Sequence, residues 1–331
     1  MEKKLMRGLS FQEYPTIASG ISFSNEIIAG LRSDLKECLD KYSLSSSISI
    51  VVTGSFGRKE ASINSDIDYF IICKDQVSLD KIRKPEIAAE VLEIIKKYVE
   101  KDPGSTGTFG ADPSHLAELS ENIGGPIESN KQLTRRLLLI LEGDWIYGES
   151  TFNEARDILA EKYLQSFSLK KVPKFFLNDV IRYHRTVAVD FQQKVDGGKG
   201  WGLRNVKLRL SRKMLYFGGL IAATELINID QSQRKSKLLE IIQKPAVERI
   251  QHYGSCEEIN HKILDVYNKF LQKIESPEIR AELDNLQRDK REDSLVFKEL
   301  RTLGEDMTRE CMNWIKVRHK DNEDLIGHLV F

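Results

Sequence analysis

The stretch Val51-Val-Thr-Gly-Ser-Phe-Gly-Arg-Lys-Glu-Ala-Ser-Ile-Asn-Ser-Asp-Ile-Asp-Tyr-Phe-Ile-Ile-Cys73 decides how the rest of the chain is interpreted. Ten residues separate the pair Gly54-Ser55 from Asp66, and Asp68 follows two positions later. Side chains alternate along a strand, so an Asp-x-Asp pair on a strand presents both carboxylates on one face. Two carboxylates this close repel each other and need a cation. Mg²⁺, with Mn²⁺ as the alternative ion, favours such oxygens and leaves further positions for substrate phosphates.

Composition narrows the class of protein. The chain has 331 residues, enough for one large or two ordinary domains, and its 50 basic and 50 acidic residues cancel. Neutral overall charge does not favour binding to long nucleic acids, and no apolar run has the length of a membrane span. The four cysteines are far apart, which predicts reduced thiols in a cytoplasmic protein.

Periodicity predicts an α+β fold. Short β-branched runs predict strands at 48–53 and 67–73, and a weaker one at 106–109. Ser24 is expected to cap a first helix, and single helices are expected over 80–100 and 203–227. From about residue 132 onward the pattern is helical. We therefore expect a domain with a mixed sheet flanked by helices over residues 1–148 and an all-α domain over 149–331.

The spacing of the motif resembles the signature of the DNA polymerase β-like nucleotidyltransferase superfamily. In its longer form, Gly54-Ser-Phe-Gly-Arg58 followed by Ser65-Asp-Ile-Asp68, it is most similar to the bacterial branch that uridylylates or adenylylates proteins, including the PII uridylyltransferases. The segment Leu137-Leu-Leu-Ile-Leu-Glu-Gly-Asp-Trp-Ile-Tyr-Gly148 is similar to the helix and turn that close the catalytic domain of that branch. The resemblance covers about residues 45–150.

Local chemistry is consistent with that resemblance. Gly54 has no Cβ and lets the backbone approach a phosphate, and the Ser55 hydroxyl with nearby N–H groups is suited to triphosphate oxygens. The resemblance implies that Asp66 and Asp68 are catalytic residues that bind Mg²⁺. Arg58 and Lys59 are close enough in sequence to add positive charge.

Two parts of the expected site stay open in the sequence. The superfamily usually has a third carboxylate on a later strand, and Asp112, after the weak strand, and Glu128 are the candidates here. A basic cluster over 204–213 includes Arg204 and Lys207, which we assign to nucleotide binding across an interdomain cleft. The competing interpretation of this cluster is an ordinary solvated helix surface.

Two functions compete. The first is a Mg²⁺-dependent nucleotidyltransferase that moves a nucleoside monophosphate from an NTP to an acceptor hydroxyl and releases pyrophosphate. Its acceptor would be a protein, a small molecule or another nucleotide. The second is a catalytically weak, nucleotide-binding regulatory or antitoxin-like module of the same fold, which the absence of a third carboxylate would favour.

Overall fold

A four-stranded mixed sheet forms the centre of the first half in the computed structural model of the chain, which describes residues 11–101, 107–165, 170–197, 200–253, 256–320 and 322–330. Its strands are β1 (Ile48–Thr53), β2 (Asp68–Cys73), β3 (Ser114–His115) and β4 (Asp144–Tyr147), in the spatial order β3-β2-β1-β4. β1 runs antiparallel to β2 and β4, and β2 runs parallel to β3. The predicted α+β class is confirmed.

The strands of the motif are close to their predicted positions. β1 coincides with the predicted 48–53, whereas β2 begins at Asp68, one residue later than predicted. β4 was not predicted, because its segment was expected to be a helix and turn. The described part of the predicted strand at 106–109, residues 107–109, is not a strand, and Thr106 lies outside the described residues.

Among the described residues of the first half, six α-helices accompany the sheet. They are α1 (Pro15–Leu39), α2 (Gly54–Gly57), α3 (Gln76–Ile82), α4 (Pro85–Tyr98), α5 (Leu116–Ser120) and α6 (Asn130–Leu141). α1 begins at Pro15, so the prediction that Ser24 caps it is wrong; Ser24 is buried and accepts a hydrogen bond from the Ala61 N–H. The single helix predicted over 80–100 is also wrong, because Pro85 begins a new helix there.

The second half is helical. Its helices are α7 (Glu149–Leu164), α8 (Lys174–Asp196), α9 (Trp201–Arg209), α10 (Ser211–Thr224), α11 (Gln231–Ile242), α12 (Ala246–Tyr253), α13 (Glu257–Glu275), α14 (Pro277–Asn285), α15 (Leu295–His319) and α16 (Glu323–Val330). The predicted helix over 203–227 is two helices, because Leu210 leaves the helical region at φ −121° and ψ −77°. No described helix is both long enough and apolar enough to span a membrane.

The two faces of the sheet pack into different cores. Ile50, Ile71 and other residues of one face pack against α1 and α4. Phe70 and Ile72 of the opposite face join a larger core that includes α6 and most helices of the second half. Asp68 has the parity of Phe70 and Ile72, so it lies on the side of the sheet that faces the helical half. The domain boundary at 148–149 stays a prediction, and the larger core crosses it.

Candidate active site

A cavity of about 110 Å³ lies where α2 and the start of β2 meet the helical half. Five of the predicted site residues from the first half line this cavity: Gly54, Ser55, Arg58, Asp66 and Asp68. Lys207 of α9, Arg212 of α10 and Arg280 of α14 line it from the helical half. The structure thus brings together an acidic pair and three basic residues that are remote in sequence.

The geometry at Gly54 explains why a glycine stands at this position. Its φ is +66°, which is in the left-handed region, and a Cβ built on it would lie 2.9 Å from Asp68 Oδ2. Thr53, the preceding residue, pairs with Asp68 across the sheet. Gly54 therefore makes room for the Asp68 carboxylate beside the turn, a role different from the predicted approach of the backbone to a phosphate.

The acidic pair places two like charges in the lining of the cavity. Burial, together with the neighbouring charge of Asp66, raises the pKa of Asp68 to about 6, although Arg212 opposes this shift. Within the described part of the chain, neither carboxylate has a hydrogen-bond or ion-pair partner. No third histidine, cysteine or carboxylate of the described residues joins the pair in a metal-binding group. The pair still fits Mg²⁺, because this ion binds through one or two carboxylates plus water and phosphate oxygens.

Arg58 is already occupied by two carboxylates. Its Nη1 donates to Glu142 Oε2 at 2.6 Å and its Nε donates to Glu60 Oε1 at 2.7 Å. Burial alone would lower the pKa of Arg58, but Glu60 and Glu142 raise it well above its ordinary value. Arg58, which the sequence assigned to phosphate binding, thus lines the cavity, but Glu60 and Glu142 already balance its charge.

Lys59 and Arg204 lie outside the cavity. Lys59 Nζ donates to Asp144 Oδ2 at 2.6 Å, and Arg204 Nη1 donates to the Gly200 carbonyl at 2.9 Å. Each therefore has a structural contact of its own, and neither lines the cavity beside Gly54 and Asp68.

The two candidate third carboxylates are also remote from the cavity. Asp112 lies at the surface in ion pairs with Arg83 and Lys131. Glu128 pairs with Arg136 and Arg182. The structure does not place either residue beside Asp66 and Asp68.

Lys207 and Arg212 are the cations best placed for a bound anion. Neither has a hydrogen-bond or ion-pair partner among the residues that the structure describes. Burial and the charge of Arg280 lower the pKa of Lys207 to about 8, and Asp66 opposes that shift. Unpaired cations in a confined space favour an anionic ligand such as a phosphate.

Sequence reasoning missed Glu142 and Arg280. Glu142 lies in the segment 137–148 that carries part of the resemblance, and its position between a helix and a strand was the available signal. Arg280 had no local signal, because only the packing of α14 beside the motif brings it to the cavity.

Residues 32–104 match the profile of the nucleotidyltransferase domain family. The match spans β1, α2, β2, α3 and α4 and therefore includes Gly54, Asp66 and Asp68. Comparison with curated proteins found no significant match. Residues 32–104 are thus similar to nucleotidyltransferase domains of the polymerase β-like superfamily, and this similarity supports a general function in nucleotide transfer. It does not distinguish the PII-uridylylating branch from other members.

Proposed function

We propose that the protein is a Mg²⁺-dependent nucleotidyltransferase that transfers a nucleoside monophosphate from an NTP to an acceptor hydroxyl. One observation carries the proposal: the acidic pair of a nucleotidyltransferase domain faces two unpaired cations, Lys207 and Arg212, across a cavity. Carboxylates that hold a metal and cations that hold phosphate are the two components that phosphoryl-transfer sites combine.

Each group has a defined part in this chemistry. The oxygen of the acceptor hydroxyl forms a bond to the α-phosphorus while the bond to the leaving pyrophosphate breaks, and the hydroxyl proton passes to solvent. Mg²⁺, held by Asp66 and Asp68, would supply charge neutralisation at the phosphates. Lys207 and Arg212 bind the triphosphate and stabilise the charge that develops on pyrophosphate. The Ser55 hydroxyl lies in the same cavity and is available to a phosphate oxygen.

The size of the cavity indicates how a nucleotide enters. Small-molecule sites usually enclose at least about 300 Å³, and this cavity encloses about 110 Å³. Tyr267 on α13 contacts Glu60, and Arg280 Nη1 donates to the Asn64 carbonyl at 3.1 Å, so the helical half holds the loop that precedes Asp66. NTP binding would therefore separate this loop from α13 and α14.

The choice of acceptor follows from the motif and the charge. Because the motif is similar to that of the PII-uridylylating branch, UTP is the first nucleotide to test and a protein hydroxyl is the first acceptor to test. The equal numbers of acidic and basic residues do not favour a long nucleic acid. A small molecule or a second nucleotide is the next class of acceptor.

The decisive experiment incubates the purified chain with each α-labelled NTP and Mg²⁺, with and without cell lysate, and measures pyrophosphate and labelled products. We expect one NTP to label an acceptor, and EDTA to stop the reaction. Nucleotide binding without transfer under all conditions would instead support the regulatory, nucleotide-binding module. Failure to bind any NTP would overturn both functions.

A further inference from the structure

Glu142 directly joins the end of α6 to the turn that precedes the acidic pair. Its Oε1 accepts the Gly54 N–H at 2.7 Å, and its Oε2 accepts Arg58 Nη1 at 2.6 Å. The side chain is 1% exposed, so both contacts are shielded from water. A hydrogen bond from an amide to a buried, ionised carboxylate is short and strong.

The backbone at Glu142 is held just as closely. A Cβ on Gly57 would lie 2.5 Å from the Glu142 carbonyl oxygen, so the turn and the end of α6 touch through their backbones. The glycine at 57 is therefore required by this approach rather than by a ligand.

Two buried arginines donate to carbonyl groups in the last turn of α6 and just after it. Arg156 of α7 donates to Leu139 O at 3.0 Å and to Gly143 O at 2.6 Å. Arg249 of α12 donates through Nη2 to Leu141 O at 2.8 Å, and its side chain is fully buried. The last carbonyls of a helix have no partner within the helix, so these guanidinium groups fix where α6 ends.

We propose that Glu142 is a positioning residue for the metal-binding pair and that Arg249 makes this position depend on the helical half. Hydrogen bonds join Arg249 to the end of α6 and Glu142 to the Gly54 amide. Gly54 in turn lies beside the Asp68 carboxylate, whose Oδ2 is 2.9 Å from the place that a Cβ on Gly54 would take. This inference rests on the proposed function, because it assigns a purpose to the position of Asp68. Partners behind the metal-binding groups commonly change metal affinity 10- to 100-fold when they are removed.

The Gly54 amide gives a direct readout that needs no enzymatic activity. The chain has two Thr-Gly dipeptides, at Gly54 and Gly107, so labelling with carbonyl-¹³C threonine and ¹⁵N glycine selects two amide signals by NMR. Gly107 is exposed and serves as the internal reference. We expect the Gly54 amide to exchange with solvent more slowly than Gly107 by a factor on the order of 100 or more. Equal exchange rates would overturn the positioning role.

The test of Arg249 compares two buried arginines of the helical half. Arg249→Met removes the donor to Leu141 O at the end of α6 and also the donors to Ile241 O, Ile242 O and Lys244 O. Arg234→Met removes a donor to Ile229 O, just before α11. At a temperature at which both variants are folded, we expect only Arg249→Met to speed exchange at Gly54 and to weaken Mn²⁺ binding by roughly tenfold. Equal effects of the two variants would show that Arg249 acts through general stability alone.

Glu142→Gln provides the second variant in case Arg249→Met does not fold. The carboxamide keeps the size of the side chain but has a single acceptor oxygen, so it cannot serve both Gly54 and Arg58 as Glu142 does. We expect faster exchange at Gly54 and weaker Mn²⁺ binding, and wild-type behaviour in both would overturn the inference. Wild-type chain that binds no Mn²⁺ would overturn the metal site itself, an outcome distinct from a rapidly exchanging Gly54 amide.

Discussion

The acidic wall of the cavity, Asp66 and Asp68 with Gly54 beside them, comes from one continuous segment of the first half. The basic wall, Lys207, Arg212 and Arg280, comes from three separate helices of the second half. Strand pairing fixes Asp68, since Thr53 stands opposite it in the β1–β2 register, whereas Asp66 lies two residues before β2 begins. The basic wall forms because α9, α10 and α14 each bring one cation to the cavity that Asp66 and Asp68 also line. In the function that we propose, the first half would hold the metal and the second half would supply the positive charge for the phosphates.

The largest expected effect is on the acidic wall. Changing Asp66 and Asp68 to Asn removes both negative charges, and we expect transfer activity to fall by at least about 10³-fold because the metal loses its ligands. Asp112→Asn is the matched comparison, since that carboxylate pairs with Arg83 and Lys131 at the surface. We expect this variant to stay near wild type. A similar loss for Asp112→Asn would restore it as the third carboxylate.

Much of the first half could be predicted from its sequence because its determinants are local. Runs of β-branched residues set β1 and β2, and the ten-residue spacer between Gly54-Ser55 and Asp66 identified the motif. The start of α1 was misplaced because Ser24 resembles a cap, whereas its hydroxyl instead accepts the Ala61 N–H in the folded chain. Local pattern alone cannot separate a capping serine from a buried one.

The remainder of the site depends on contacts between distant residues. Arg204 and Lys207 are three apart and look equivalent in sequence, yet Lys207 lines the cavity and Arg204 binds the Gly200 carbonyl. The helix breaks at Leu210, so Lys207 and Arg212 reach the cavity from two separate helices. The ion pair between Glu142 and Arg58 could not be predicted either, because the two residues are 84 positions apart in the sequence.

The second prediction concerns the basic wall. We expect Lys207→Met combined with Arg212→Met to raise the Kd for Mg-NTP by roughly 10- to 100-fold, because two charged contacts to phosphate are lost. Isothermal titration with a nonhydrolysable NTP measures this directly. Arg204→Met serves as the control, since its guanidinium lies outside the cavity. If Arg204→Met weakens Mg-NTP binding as much as the double variant does, then Lys207 and Arg212 are not the residues that bind the phosphates.

The third prediction isolates the contact between Gly54 and Asp68. Gly54 and Gly124 both have positive φ, +66° and +75°, but a Cβ on Gly124 would meet nothing within 4 Å. We expect each Gly→Ala change to cost about 1–2 kcal/mol for backbone strain, and Gly54→Ala to cost more because its Cβ meets Asp68. Urea unfolding gives the free energies.

The same contact can be removed from the other side. In an Asp68→Ala background the extra cost of Gly54→Ala should disappear, because the carboxylate that meets the new Cβ is gone. If Gly54→Ala lowers the free energy of unfolding by the same amount in this background, then its extra cost does not come from a clash with the Asp68 carboxylate.

The smallest expected effect is the dependence of stability on pH. The folded chain raises the pKa of Asp68 from 3.8 to about 6, so the folded state holds this proton more tightly than the unfolded state does. Without metal, stability should therefore fall as pH rises from about 4 to about 6 and stay at the lower level above that window. Asp68→Asn removes this dependence on pH. We expect the free energy of unfolding of the variant to exceed that of wild type by about 1–2 kcal/mol at pH 7 in EDTA, after allowance for solvent screening. The difference should vanish near pH 4, where both side chains are neutral in the folded state.

Saturating Mg²⁺ should reverse the order at pH 7, because only the wild-type pair binds the ion and gains stability from it. A wild-type chain that is more stable than Asp68→Asn at pH 7 without metal would mean that the basic wall already compensates the pair, and the two walls would then form one balanced electrostatic unit.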